Sequence, residues 1–111
     1  MNTTYHKCIG DTFTVNCTVH GTSLIWSSKK YIGTGGSNIE YALFNTKGLI
    51  IHSSKYNSTR AELLRADSIN NILESNLTIN VSRDGIIIIC SDDSRNIQLN
   101  ISVVAGKYNH E

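Results

Sequence analysis

The 111-residue chain has no proline, one methionine, one tryptophan and two phenylalanines. Its greasiest segment, Ile86 to Ile89, is far short of a helical membrane span and reads as a buried strand. Charge is also scarce. Only 17% of residues are charged and the net charge is +1, which removes the electrostatic footprint of a nucleic-acid binder or a polybasic membrane surface. The single basic doublet, Lys29-Lys30, reads as a solvated hairpin end. No charged start leads into an apolar run, so no signal peptide is visible. No repeat, charge block or linker divides residues 1–111, and this length suits one domain.

Catalytic chemistry is missing too. His6, His20, His52 and His110 have no metal-ligand spacing with one another or with the cysteines, so neither a metal nor another cofactor is expected. Gly33-Thr34-Gly35-Gly36 lacks the following Lys-Ser/Thr of a phosphate cradle and reads as a hairpin loop. Asp92 and Asp93 are adjacent, and adjacent positions on an extended chain point to opposite faces. No Ser-His-Asp or Cys-His motif is present. The expectation is a non-enzyme with no small-molecule substrate, no nucleic-acid partner and no membrane insertion by this domain.

What the chain does have is six Asn-x-Ser/Thr sequons, at Asn2, Asn16, Asn57, Asn76, Asn80 and Asn100. Six in so short a chain imply glycosylation in the secretory pathway. The expected location is extracellular, in a secreted protein or the ectodomain of a membrane-anchored one, with leader and anchor outside this stretch. Three cysteines suit an oxidising compartment. Isoleucine and asparagine are both abundant, at 15 and 12 residues, a bias that an AT-rich genome would produce.

Hydrophobic residues recur with period two. Phe13, Val15, Cys17 and Val19 share one face, and Leu24 and Trp26 share another. Leu73, Leu77, Ile79 and Val81 alternate with Glu74, Asn76, Thr78 and Asn80. Near the end, Ile97, Leu99, Ile101 and Val103 alternate with Gln98, Asn100 and Ser102. Turn signals such as Gly10-Asp11, His20-Gly21 and Asn70-Asn71 separate these runs, favouring an all-β sandwich. Thr59 to Ala66 is rich in helix formers, but its apolar stripe is short, and it reads as a strand followed by a turn.

In order, these pieces resemble the immunoglobulin superfamily. Gly10 to Cys17 looks like the turn into strand B and its cysteine, and Leu24-Ile25-Trp26 like strand C with the core tryptophan. Ser75 to Val81 resembles strand E, and Asp84-Gly85-Ile86-Ile87-Ile88-Ile89-Cys90 resembles the Asp-x-Gly-x-Tyr-x-Cys signature at strand F. The resemblance implies a Greek-key β-sandwich of two antiparallel sheets, stapled by a Cys17–Cys90 disulfide packed on Trp26. The long interval between the cysteines leaves room for strands C′ and C″ of a variable-type domain, at Ile39 to Phe44 and Leu49 to Ser53. Two departures stand out: Ile88 replaces the usual tyrosine, and the glycine falls one position early. The family's Arg–Asp pair would be Arg60 or Arg65 with Asp84. Cys8 is left over, either as a quiet buried thiol in strand A or as a cross-link to a second subunit or missing domain.

Alternation assigns the outer faces. Asn16, Asn76 and Asn80 would shield the sheet of strands B and E with glycans. The opposite sheet would show Ile25, Ile87 and Ile89 as exposed aliphatics with Gln98 beside them, a patch of the kind that marks interfaces. A glycan on Asn100 would confine binding to the part near Asp92 to Arg95 and the loop after Trp26. Tyr31 and Tyr41 are candidate anchors there. The expected function is protein recognition, with an immune cell-surface receptor or ligand as partner and a viral immune-modulating glycoprotein as the favoured form. The alternative is a structural or adhesive domain of a larger ectodomain that self-associates, a possible homodimer.

Overall fold

The computed structural model describes residues 2–30, 39–47, 50–53, 59–81, 86–94 and 96–106. Nine strands occupy them: β1 (Asn2–Cys8), β2 (Thr12–His20), β3 (Ser23–Lys30), β4 (Ile39–Asn45), β5 (Ile50–Ser53), β6 (Thr59–Asp67), β7 (Ile72–Asn80), β8 (Ile86–Asp92) and β9 (Ile97–Gly106). They form a six-stranded sheet in the order β1-β9-β8-β3-β4-β5 and a three-stranded sheet in the order β2-β7-β6. All neighbouring pairs are antiparallel except β1 with β9, which run parallel from Asn2 opposite Asn100 to Cys8 opposite Gly106. The result is an all-β sandwich.

The period-two runs become its inner faces. Val15, Cys17 and Val19 of β2 and Leu73, Leu77 and Ile79 of β7 are buried, while the residues between them, Ser75 excepted, turn outward. Leu24, Trp26, Phe44, Ile88, Ile101 and Val103 close the core from the six-stranded sheet. Ile88 stands where the resemblance calls for tyrosine, and it is fully buried. An aliphatic here adds core and leaves no hydroxyl to satisfy. The Cys17–Cys90 disulfide joins β2 to β8 and so ties one sheet to the other.

Trp26 is tied across the sandwich as well. Its indole Nε1–H donates to Ser75 Oγ at 2.9 Å, and that hydroxyl donates in turn to the Glu62 carbonyl at 2.6 Å. One hydroxyl thus links β3 of the larger sheet to β7 and β6 of the smaller. The buried indole N–H and the buried hydroxyl are both satisfied, as a dry core requires. Ser75 is the one polar residue in the inward series of β7.

β6 extends over the whole helix-forming segment. Ala61 and Leu63 pack against the core, Glu62 turns outward, and a bulge between Leu63 and Arg65 leaves Leu64 half-exposed. Pairing with β7 along the whole length of β6 overrides intrinsic helix preference, which amounts to only tenths of a kcal/mol per residue. Arg65 reaches Asp67 Oδ2 at 3.4 Å. The expected alternative partner, Asp84, lies outside the described residues.

Two turns need left-handed backbone. Gly10 has φ 96° with open space where a Cβ would stand, so its conformation, not crowding, demands glycine. Asn71 has φ 56°, a region that asparagine tolerates better than most residues, and its carbonyl accepts from the Gly21 N–H at 2.8 Å.

Candidate functional site

The outer face of the six-stranded sheet is apolar across four strands. Register places Ile97, Ser91, Ile25 and Leu43 in one row across β9, β8, β3 and β4. A second row sets Asn100, Ile89 and Ser27 side by side, and a third brings Ser102 opposite Ile87. None of Ile25, Leu43, Ile87, Ile89 and Ile97 belongs to the core cluster or packs against it. These five aliphatics therefore form a layer of their own on the far side of the sheet.

Exposure within this layer is uneven. Ile97 is 51% exposed, Ile25, Leu43 and Ile87 are partly buried, and Ile89 is only 8% exposed. The expectation that Ile89 stands free on this face needs correction. It lies in β8, in the middle of the sheet, with Ser27 on one side and Asn100 on the other, and such neighbours cover a central residue more than an edge one.

The expected alternation in the last strand also fails at its start. A bulge between Cys90 and Ser91 lets Leu99 pair with Cys90 while Ile97 pairs with Ser91, leaving Gln98 as the extra residue. The insertion moves Ile97 from the core side to the outer face. Gln98 is exposed beside it. Sequence reasoning therefore missed Ile97 and Leu43. Leu43 had a signal, since it sits between the inward Ala42 and Phe44.

The position of the site along the sheet changes too. β3 runs unbroken from Leu24, opposite Asp92, to Lys30, opposite Ile86. No loop follows Trp26, and the chain beyond it leads away from Asp92. Asp92 and the far end of β3 therefore do not meet at one edge of the site. Tyr31, Arg95 and Asn57 lie outside the described residues, whereas Tyr41 belongs to β4.

The hairpin beside Ile97 is held by a carboxylate. Asp92 Oδ1 accepts the backbone N–H groups of Ser94 and Asn96, each at 2.9 Å, and Oδ2 accepts Asn96 Nδ2 at 3.2 Å. The Asn96 N–H and the other donors hold its carboxyl below the ordinary aspartate range, against burial, which pushes the other way. Asp93 accepts from the Thr22 hydroxyl, tying this hairpin to the β2–β3 turn. At the other sheet, Asp67 accepts from Asn70 Nδ2 and from the N–H groups of Ile69 and Asn70, and the Asn70 side chain leads in lowering its pKa.

A depressed folded-state pKa means that the unfolded chain binds protons more tightly. Stability from these two carboxylates is present above the unfolded value near pH 4 and is lost as pH falls below it. An Asp67→Asn/Asp92→Asn variant is expected to be less stable than wild type at pH 6, with the gap narrowing as pH falls below about 4. Urea midpoints measured across that range check this, and a gap independent of pH would refute it.

The outer face of the three-stranded sheet is polar. Asn16 Nδ2 donates to Glu74 Oε2 and to Asn76 Oδ1, both at 3.0 Å. Thr12 Oγ1 donates to Asn80 Oδ1 at 2.8 Å, and the Thr14 and Thr78 hydroxyls share a bond at 3.0 Å. Three sequon asparagines thus stand on this face. On the larger sheet Asn100 lies opposite Asn2. Cys8 is a free, partly exposed thiol at the end of β1, so it is not the buried thiol of one expectation.

Two sheets joined by Cys17–Cys90 are compatible with an immunoglobulin-like fold. No protein-family model matches the chain, and no curated protein sequence matches it.

Proposed function

We propose that this is a glycosylated, extracellular recognition domain of variable immunoglobulin type that binds another protein through the outer face of its six-stranded sheet. The observation that carries the reading is the second apolar layer. Ile25, Leu43, Ile87 and Ile97, from four strands, are partly or largely exposed on one face with the covered Ile89 among them, while the opposite outer face carries hydrogen-bonded polar residues and three sequons. Apolar surface gathered on one face marks interfaces more often than scattered residues do. Strand order supports the family reading, because β4 and β5 extend the larger sheet as C′ and C″ would. The sequons and the inter-sheet disulfide support passage through an oxidising secretory route. Immune modulation by a viral glycoprotein remains the favoured setting, on the Ile/Asn bias and the altered strand F signature.

The test is a screen of the multivalent, glycosylated domain against displayed surface receptors and against itself. For a partner so found, Ile97→Asp and Ile25→Asp are each expected to weaken binding about thirty-fold, the size of an interface hot spot. Leu64→Asp alters an equally exposed aliphatic on the other sheet and is expected to change nothing. Equal loss from Leu64→Asp, or none from Ile97→Asp, would move the interface elsewhere. Binding only to itself would favour the adhesive reading.

A further inference from the structure

Two acceptor asparagines face each other on the three-stranded sheet, and their hydrogen bonds are not symmetrical. Asn16 and Asn76 are direct register partners on β2 and β7. Side chains so opposed have Cβ atoms only about 5 Å apart, too close to seat a branched oligosaccharide on each. Asn16 uses both hydrogens of its Nδ2, one on Glu74 Oε2 and one on Asn76 Oδ1. The orientation of both amides follows from the chemistry, since a carboxylate oxygen only accepts. Asn76 contributes its oxygen alone, and its Nδ2 makes no hydrogen bond among the described residues.

From this asymmetry we infer that the Asn16–Asn76 pair carries one glycan, and that Asn76 carries it. The inference rests on the reading of the chain as a secreted glycoprotein. In the transfer, Asn76 Nδ2 forms a bond to the anomeric carbon of a lipid-diphosphate-linked oligosaccharide. The anomeric C–O bond to the diphosphate breaks, the lipid diphosphate leaves with the bonding electron pair, and the proton given up by Nδ2 passes to solvent. Afterwards Asn76 Oδ1 still accepts from Asn16, so the cross-strand bond survives. The same transfer to Asn16 removes one of the two hydrogens that hold Glu74 and Asn76. Acceptors are modified on the extended chain before it folds, so the constraint acts on which modified chains fold. A chain modified at Asn16 folds without one of these cross-strand bonds, and one modified at both also crowds two oligosaccharides onto directly opposed positions, so chains modified at Asn76 alone are favoured among those that fold.

Peptide mapping of the secreted protein, with glycan release in heavy-oxygen water to mark the occupied asparagines, tests this. Asn76 is expected to be marked and Asn16 bare. Thr78→Val destroys the Asn76 sequon and should remove the mass of one glycan; Thr18→Val destroys the Asn16 sequon and should remove none. The wild-type map decides the question even where a variant fails to fold. A marked Asn16, or both marked in one molecule, overturns the proposal. Occupancy at other sequons with Asn76 bare overturns it too, while leaving the glycoprotein reading intact. A secreted protein with no sequon occupied overturns both.

Discussion

Replacing Cys17 and Cys90 together by alanine should lower the unfolding free energy by about 4 kcal/mol. The bridge spans a sequence separation of 73, and in the chain-entropy model a loop of that length restricts the unfolded chain by this amount. Domains of this size have only about 5–15 kcal/mol in total, so the loss is a large fraction of the whole. Urea denaturation of oxidised wild type and the double variant measures it. A difference below about 1 kcal/mol would mean that the two apolar inner faces hold the sheets together without the bridge. Cys8→Ser is the control. Its thiol is free and partly exposed, and the change is expected to stay within about 0.5 kcal/mol.

Trp26→Ala should cost about 3–5 kcal/mol, the range for removing a fully buried aromatic. Part of that cost is polar. Ser75→Ala alone strands the indole N–H in a dry core and should cost about 1–3 kcal/mol, although it deletes a single oxygen. Trp26→Phe removes the N–H and keeps most of the ring. In a Trp26→Phe background, Ser75→Ala should therefore cost clearly less, giving a coupling energy of about 1 kcal/mol. Additive losses in this cycle would show that Ser75 acts through its bond to the Glu62 carbonyl and not through the indole.

Most of the sandwich was legible because its inner faces keep strict period two. In β2 and β7 every second residue meets the core, and in β3 Leu24 and Trp26 do the same. At Ile97 the reading erred because of a bulge. An extra residue changes the facing of what lies beyond it, and the partner that sets its place is distant in sequence. Gln98 turned Ile97 outward in this way. Ser75 was missed for a different reason. A serine in an inward position looks like a gap until its partner is known, and that partner, Trp26, lies in the other sheet. Ile89 was assigned to the correct face but taken as exposed, because lateral cover depends on strand order. Of the candidate site, Ile25 and Ile87 could be read from alternation, whereas the row that joins them to Ile97 and Leu43 required the pairing.

The parallel run of β1 beside β9 has a mechanical consequence. Asn2 enters at one end of that pair and Gly106 leaves at the other, roughly 20 Å away along the strands. Tension applied between these two residues pulls the strands past each other lengthwise. The rungs from Asn2–Asn100 to Cys8–Gly106 then share the load and must yield together, whereas a hairpin pulled open at one end yields rung by rung. A domain strung between two attachments would resist stretching along this axis far more than peeling across it.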